Sequence, residues 1–187
     1  MTEISVQKQP VSPAVERFIL QWGDMGEAWG VNRSVSQIHA LLYVAEKPMT
    51  AEDIAGVLAM ARSNVSTSLR ELLGWSLIKR VPVLGDRRDY YEAEADMLEM
   101  IRRIAVGRKA RELDPALATL RECVAEAERD RSISPTAKAR FKQMLDVMEG
   151  VDRSFAEVMR LPSPVLSRLI RMGGAVARLV APARKKG

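Results

Sequence analysis

The chain has 187 residues, enough to bury a sizeable core in one large domain or two small ones. Its hydrophobic fraction of 47% argues against wholesale disorder, and an aromatic fraction of only 5% favours helices over a β-sandwich or barrel. A formal net charge of +5 is compatible with a polyanionic partner, although it is weak evidence alone. A single cysteine, Cys123, excludes an intramolecular disulfide, and a single histidine, His39, excludes His-based catalytic triads and His-rich metal clusters.

The amino terminus lacks the basic region and apolar core of a signal peptide. No stretch reaches the roughly 18 uninterrupted apolar residues of a membrane-spanning helix. The scarcity of cysteine is typical of a reducing compartment. We therefore expect a soluble cytoplasmic protein, and a membrane is not an expected partner.

Two helices are predicted ahead of residue 50. Residues 1–12 are polar and are predicted to form a mobile arm. Ser12 as N-cap and Pro13 as first residue then predict a helix start. One side of this helix is strongly apolar and requires a partner, either the domain that follows in this chain or a second subunit; its residues are Val15, Phe18, Ile19, Trp22, Met25, Gly26 and Trp29. The second helix is predicted to start at Ser34 or Ser36 and to end at Lys47-Pro48, with Val35, Ile38, Leu41, Leu42 and Ala45 pointing inward.

Residues 50–74 are predicted to form two short helices joined by a tight turn at 59–61. Thr50 is the predicted N-cap of the first, with Asp53 completing a capping box, and Ile54, Ala55 and Leu58 form its apolar face. The second is predicted to bury Val65, Leu69, Leu72 and Leu73 and to end at Gly74 as the C′ residue.

The outer face of this second helix carries side chains that reach base edges and phosphates in a major groove. They are Arg62, Ser63, Asn64, Ser66, Thr67 and Arg70. The alternative is an ordinary solvated helix surface. Two helices joined by a short turn, the second with such a face, predict a DNA-binding helix-turn-helix.

A β-hairpin with a basic loop is predicted next, with strands at 78–83 and 90–93. Arg87 and Arg88 in the loop are predicted to face phosphates or the minor groove, as the wing of a winged helix does. Asp86 is expected to orient an arginine, because a carboxylate repels phosphate. Tyr90 and Tyr91 alternate along a strand, so one of them is expected in the core.

Residues 29–93 resemble the winged helix-turn-helix of the MarR superfamily, most closely its GbsR-type branch. The resemblance rests on Trp29-Gly30, on residues 63–66, on the run Leu72–Ile78 and on Gly85–Tyr91. Residues 86–88 match the Asp-x-Arg wing motif of that superfamily, but the Leu-Thr that usually follows is absent, and a Tyr-rich strand follows as in the GbsR-type branch. The resemblance implies a dimeric DNA-binding transcriptional regulator.

Helices are also predicted after the wing. One runs from Asp96 to Leu113, and Asp114-Pro115 is predicted to form a break or kink with a new N-cap before an apolar stripe of Leu117, Leu120, Val124 and Ala127. Ser134 is predicted to cap a further helix that stops at residues 161–164. That helix carries a narrow stripe near the 3.5-residue repeat of paired helices, made of Phe141, Met144, Leu145, Met148, Val151, Phe155 and Val158. Such helices usually form a dimer interface.

Residues 165–187 form a basic amphipathic segment with no acidic residue. This segment could pack on the dimer, lie on a membrane surface or contact the DNA backbone.

Catalysis, a metal and a cofactor are not expected. His39 is interpreted as a surface or packing residue, and Cys123 as a buried structural residue on an apolar stripe rather than a redox sensor. The acidic pairs lie on solvent-facing helix sides, and no glycine spacing matches a phosphate loop.

The GbsR-type resemblance also implies an association with choline or glycine betaine responses. An aromatic cage binds a quaternary ammonium group best. The candidates are Phe18, Trp22, Trp29 and Tyr43. An aromatic stripe at helical spacing is more often core than cage.

The expected fold is mainly α: a winged helix-turn-helix with a small β-hairpin wing and additional N- and C-terminal dimerisation helices. The expected organisation is a mobile arm at 1–12, an N-terminal helix and DNA-binding domain at 13–93, a helical dimerisation region at 94–160 and the basic segment at 161–187. The expected function is that of a homodimeric, sequence-specific transcriptional repressor that reads an inverted repeat in double-stranded DNA and responds to a small-molecule effector. The alternative is a winged-helix protein-interaction or membrane-surface adaptor that works through its basic C-terminal segment.

Overall fold

The structure is a computed structural model and describes residues 11–173. It is mostly helical with one three-stranded antiparallel sheet, which confirms the predicted fold class. The described chain divides into two compact units between Arg103 and Ile104. Its elements are α1 Pro13–Ala28, α2 Arg33–Val44, β1 Met49–Thr50, α3 Ala51–Leu58, α4 Arg62–Gly74, β2 Ile78–Val81, β3 Tyr90–Ala93, α5 Met97–Arg108, a π-helical segment Lys109–Leu113, α6 Asp114–Arg129, α7 Pro135–Met159 and α8 Ser163–Met172.

Helix α1 begins where the sequence predicts. The Ser12 hydroxyl accepts a hydrogen bond from the Val15 amide at 3.3 Å, and Pro13 occupies the first turn. Gly26 of α1 lies so close to α2 that an added Cβ would come within 2.7 Å of the Ser36 Cβ. The absence of a side chain at Gly26 therefore allows α1 and α2 to pack closely.

Helix α2 begins one residue earlier than predicted. Asn32 is its N-cap, since the Asn32 side chain accepts from the Ser34 amide at 2.8 Å. The prediction of Ser34 or Ser36 as the start is therefore wrong, because asparagine is as favourable as serine at the N-cap position. The helix also ends at Val44 rather than at Lys47-Pro48. Its predicted inward residues Val35, Ile38, Leu41 and Leu42 are buried.

The capping box that starts α3 is present as predicted. The Thr50 hydroxyl accepts from the Asp53 amide at 3.2 Å, and the Asp53 carboxylate accepts from the Thr50 amide at 3.0 Å. Ala59 follows in the left-handed region with φ of 52°, and this residue turns the chain into α4. Val65, Leu69 and Leu72 then fix α4 against the core as predicted.

Gly74 is not the C′ residue of α4. It is the last helical residue, and the left-handed position belongs to Ser76, with φ of 56°. The Ser76 amide donates to the Leu73 carbonyl at 2.9 Å and the Leu77 amide to the Leu72 carbonyl at 3.0 Å, which is a Schellman ending. Glycine is preferred at this position, and its presence two residues earlier misplaced the prediction.

The hairpin is present, and it is part of a larger sheet than predicted. Strand order is β1-β3-β2, with β1 paired to β3 at Met49 and Thr50. β2 ends at Val81 rather than at Val83, because Pro82 has no amide to continue the ladder. The two residues of β1 were not predicted, since so short a strand has no periodicity of its own.

In the second unit the chain does not break at Asp114-Pro115. Asp114 has helical angles (φ −63°, ψ −43°), and the π-helical segment connects α5 to α6 without a new N-cap. The predicted N-cap at Asp114 is therefore wrong, since proline is tolerated in the first turn of α6. Lys109 in this segment forms ion pairs with Asp114 at 2.5 Å and with Asp152 of α7 at 2.6 Å.

Helices α6 and α7 pack against each other, with Leu117 and Ala127 buried. The Ser134 hydroxyl caps α7 as predicted, at 3.2 Å from the Ala137 amide. Cys123 is only partly buried, so the prediction of a buried cysteine is wrong. This cysteine lies one position before Val124, at the edge of the α6 apolar stripe.

Helix α7 ends at Met159, before residues 161–164 as predicted, and α8 covers the start of the basic segment. The rest of that segment and most of the predicted mobile arm lie outside the described residues. Among the helices of residues 11–173, none has the length and apolar character needed to cross a membrane.

Candidate nucleic-acid interface

Helix α4 presents a polar face to solvent while its opposite side is buried. Val65, Ser68, Leu69 and Leu72 lie in the core. All six residues predicted to contact DNA are exposed on the outer side: Arg62, Ser63, Asn64, Ser66, Thr67 and Arg70. The helix is therefore held by one side and free to enter a groove with the other.

The two arginines of this face are Arg62, the first residue of α4, and Arg70, about two turns further along the helix. The Arg62 guanidinium forms an ion pair with Glu52 of α3 at 2.7 Å, and its side chain remains 78% exposed. Arg70 donates a hydrogen bond to the Thr67 hydroxyl at 3.2 Å, one turn back. Both contacts are at the surface, where an ion pair contributes little and a phosphate or base edge can replace it.

Asn64 is held from both sides of its amide. Its Nδ2 donates to the Ser34 hydroxyl of α2 at 2.9 Å, and its Oδ1 accepts from the Ser68 hydroxyl at 3.5 Å. Ser34 was not predicted as a site residue. The two residues are 30 positions apart, and a contact between them has no signal in local spacing.

The wing is ordered by Asp86. Its carboxylate accepts from the Arg88 Nε at 3.0 Å and Nη2 at 2.6 Å, from the Arg88 amide at 2.9 Å and from the Tyr90 hydroxyl at 2.8 Å. The Arg88 side chain, its amide and Tyr90 together hold the pKa of Asp86 well below its usual range. The expectation that Asp86 orients an arginine is confirmed.

Arg88 also lies over the Tyr90 ring, 5.6 Å from its centroid. Tyr91 is the buried member of the tyrosine pair, as the alternation predicts. Arg87, by contrast, is exposed and forms no ion pair with any residue in the described range 11–173. The wing therefore offers one oriented arginine and one free arginine.

Four rings form a row along α1 and α2. Phe18 and Trp22 have centroids 5.5 Å apart, Trp22 and His39 6.3 Å, and His39 and Tyr43 6.4 Å. The predicted ligand residues Phe18, Trp22 and Tyr43 belong to this row, whereas Trp29 is 58% exposed. His39 connects the two halves of the row, and it was not predicted as a site residue.

His39 is a packing residue, one of the two roles expected for it. It is only 3% exposed, and its Nε2 has no hydrogen-bond partner among residues 11–173. Burial lowers the pKa of His39 to about 4, because a charged imidazolium would lose its hydration there. The imidazole is therefore neutral at neutral pH. In the same described range no cluster of His, Cys, Asp and Glu side chains could hold a metal ion.

Two helices joined by a left-handed turn, an exposed polar second helix and a hairpin with basic residues define a winged helix-turn-helix protein. Residues 29–89 match the family model MarR_2, described as the MarR family. Residues 29–89, about a third of the chain, are thus similar to the MarR family, and this part of the structure has the winged helix-turn-helix fold.

Two proteins that are similar to this chain are described as HTH-type transcriptional regulators. YvaV of Bacillus subtilis is 28% identical over 94 residues, which are 49% of this chain and 53% of YvaV. The HTH-type transcriptional regulator MmpR5 of Mycobacterium tuberculosis is 24% identical over 156 residues, which are 82% of this chain and 90% of MmpR5. The match to YvaV thus spans about half of that protein's length.

Among solved structures, a crystal structure described as that of a transcriptional regulator aligns with a TM-score of 0.60 at 20% identity. The alignment covers 79% of this chain and 96% of that one. At this level of identity the likeness supports the fold.

Proposed function

We propose that the chain is a homodimeric, sequence-specific DNA-binding transcriptional repressor. Helix α4 enters a major groove, and the wing loop that carries Arg87 and Arg88 lies along the adjacent backbone or minor groove. The observation that carries this proposal is the two-sidedness of α4, whose apolar side is buried while all six candidate contacts are exposed. The proposed function is one of binding, without catalysis, and the proposed location is the cytoplasm.

The side chains suggest a division of roles. Arg62, Asn64 and Arg70 are proposed to contact bases or phosphates, with Ser63, Ser66 and Thr67 in support. Arg87 and Arg88 are proposed to contact phosphates, which adds affinity for any sequence. The ion pair between Arg62 and Glu52 has to open when Arg62 reaches DNA, at a small cost because both side chains are exposed.

The proposal of a dimer is supported by apolar side chains that are exposed in the single chain. On α7, Met144, Val147, Val151 and Val158 are exposed. On α1, Leu20 and Trp29 are exposed too. The exposed apolar residues of α7 recur at helical spacing, and exposed apolar surface of this kind marks an interaction site. A two-fold dimer would place its recognition helices about 34 Å apart, which matches an inverted repeat. The proposed domain assignment therefore keeps 94–160 as the dimerisation region.

Repression is proposed over activation because a compact dimer on a promoter excludes polymerase without further contacts. Membership in the GbsR-type branch is also a proposal, supported by the Tyr90-Tyr91 strand that follows the wing.

A quaternary ammonium effector at Phe18, Trp22 and Tyr43 is a secondary proposal, supported by the ring row. The same row is equally expected of packing, so titration of choline and glycine betaine into the protein–DNA complex decides between these roles.

The function is tested by selecting bound fragments from a random duplex library with the full chain. The proposal expects an enriched inverted repeat with half-sites about one DNA turn apart. Recovery of unrelated sequences with no common repeat would overturn it.

One observation favours a second candidate. Helix α8 exposes Val165, Leu169 and Ile170, and no acidic residue follows Glu157 in the sequence. An adaptor that works through residues 161–187 would bind anionic vesicles. Flotation of the full chain and of a chain ending at Leu161 separates the candidates, because loss of vesicle binding on truncation supports the adaptor and no binding by either chain excludes it.

A further inference from the structure

We infer that Ser34, on α2 and outside the recognition helix, is a positioning residue that fixes how Asn64 presents its amide to DNA. The inference rests on the proposed DNA-binding function. It concerns the base preference at one position of the binding site, and not the overall affinity for DNA.

The first observation is that Ser34 is itself fixed. Its amide donates to the Asn32 side chain at 2.8 Å, and its neighbour Val35 is buried in the core. The Ser34 backbone therefore has little freedom, and its hydroxyl can change position only by rotation about χ1.

The second observation is that Asn64 meets this hydroxyl with its nitrogen and the Ser68 hydroxyl with its oxygen, at 2.9 Å and 3.5 Å. Ser68 is buried and Val65, next to Asn64, is fully buried, so α4 cannot rotate to change this geometry. An exposed asparagine on a helix surface would otherwise sample several rotamers and both amide orientations.

The consequence follows from hydrogen-bond capacity. An asparagine amide has two N–H donors and two acceptor lone pairs, and the two serines engage one of each. One donor and one acceptor remain, which is the pair that asparagine uses to bind adenine at N7 and N6 in the major groove. Without Ser34 the amide has to be ordered when DNA binds, and part of the discrimination at that base pair is lost.

The experiment compares Ser34→Ala, Ser34→Thr and Asn64→Ala with the wild-type full chain. Base preference is measured by binding to the selected duplex and to its three single-position variants at each base pair. We expect Ser34→Ala to lower the preference at one base pair, for adenine, by about threefold to tenfold, the range of one hydrogen bond. Ser34→Thr keeps the hydroxyl and should restore the preference. The double variant Ser34→Ala/Asn64→Ala should match Asn64→Ala.

Other results overturn the inference in distinguishable ways. If the wild-type chain enriches no sequence, the proposed function fails and the role of Ser34 fails with it. If the wild-type chain enriches a site but Ser34→Ala keeps the full preference, only the role of Ser34 fails. Equal losses of thermal stability in Ser34→Ala and Asn64→Ala, without a change in base preference, would show that the bond only connects α2 to α4.

Discussion

The guanidinium of Arg88 lies against the carboxylate of Asp86, with Nε and Nη2 at 3.0 Å and 2.6 Å from Oδ2. The neighbouring Arg87 is exposed and has no ion-pair partner in the described range 11–173. The side chains of these two adjacent wing arginines therefore differ in how well they are ordered before DNA binds. Arg88 is pre-oriented by a side chain, whereas Arg87 is free to adapt to the phosphate that it meets.

We predict that Arg87→Ala weakens binding to the selected site and to random duplex by the same factor. A phosphate contact releases counterions, so its loss should reduce the slope of log affinity against log salt by about 1. Lys47→Ala removes one positive charge from an exposed side chain outside both proposed surfaces, so it is the charge-matched control and should leave the slope unchanged. A loss by Arg87→Ala at the selected site only would show that Arg87 reads bases.

Asp86→Asn is predicted to weaken DNA binding even though it removes a negative charge from a DNA-facing loop. The change removes the ionic partner of Arg88 and the acceptor shared with Tyr90, so the wing has to be ordered on binding. Titration of Asp86→Asn and of the wild-type chain against one duplex measures this effect. Tighter binding by Asp86→Asn would mean that simple repulsion outweighs the ordering of the wing.

Acid should destabilise the first compact unit through His39. Its folded pKa of about 4 lies below the unfolded value of 6.5, so the unfolded chain takes up the proton first as the pH falls. The contribution of the neutral His39 imidazole to the free energy of unfolding is fully present above pH 6.5. It is lost progressively as the pH falls to about 4, by about 3 kcal/mol in total. Urea unfolding of wild type and His39→Phe across this range isolates the effect, since the difference in unfolding free energy between them should change with pH. A constant difference would contradict the burial of a neutral imidazole.

Gly26→Ala is predicted to destabilise the fold by about 1–3 kcal/mol, because the new methyl group would overlap Ser36 of α2. Gly74→Ala is the matched control in the same unit. An added Cβ at Gly74 meets no atom within 4 Å, and alanine favours the helix, so this change should be neutral or stabilising. Equal destabilisation by both changes would show that α1 and α2 are not closely packed at Gly26.

Ser76→Gly is predicted to stabilise the protein by about 0.5–1 kcal/mol. Ser76 holds a left-handed conformation that costs a residue with a side chain about 1–2 kcal/mol, and the greater freedom of glycine in the unfolded chain offsets part of the gain. Thermal unfolding of Ser76→Gly and of wild type measures the change. A loss of stability would mean that the Ser76 side chain contributes more than its backbone strain costs.

The sequence predicted those features that depend on residues close together in the chain. The capping box of Thr50 and Asp53, the Ser134 cap and the buried side of α4 all arise within one or two helical turns. The wing was predicted for the same reason, since its strands are separated by a short loop.

Features that depend on distant contacts were missed or misplaced. β1 exists because Met49 and Thr50 pair with Tyr91 and Tyr90, about 40 residues away. The Ser34–Asn64 bond and the link from His39 to Trp22 join different helices in the same way. At 109–113 the helix continues through a π-helical segment, and Lys109 of this segment forms an ion pair with Asp152 of α7. Pro115 alone could not predict that the helix continues, because this contact is with a residue far away in the sequence.

DNA binding through the exposed face of α4 is the central proposal, and binding of the Arg62→Ala/Arg70→Ala variant to the selected duplex is its decisive test. Each base-reading arginine should contribute about 1–3 kcal/mol at the selected site, so the double variant should lose most of the preference for that site while Lys47→Ala keeps it. Anisotropy titrations against selected and random duplexes, with thermal unfolding to confirm the fold, give this comparison. Equal affinity of the folded double variant and the wild-type chain for the selected duplex would contradict the account.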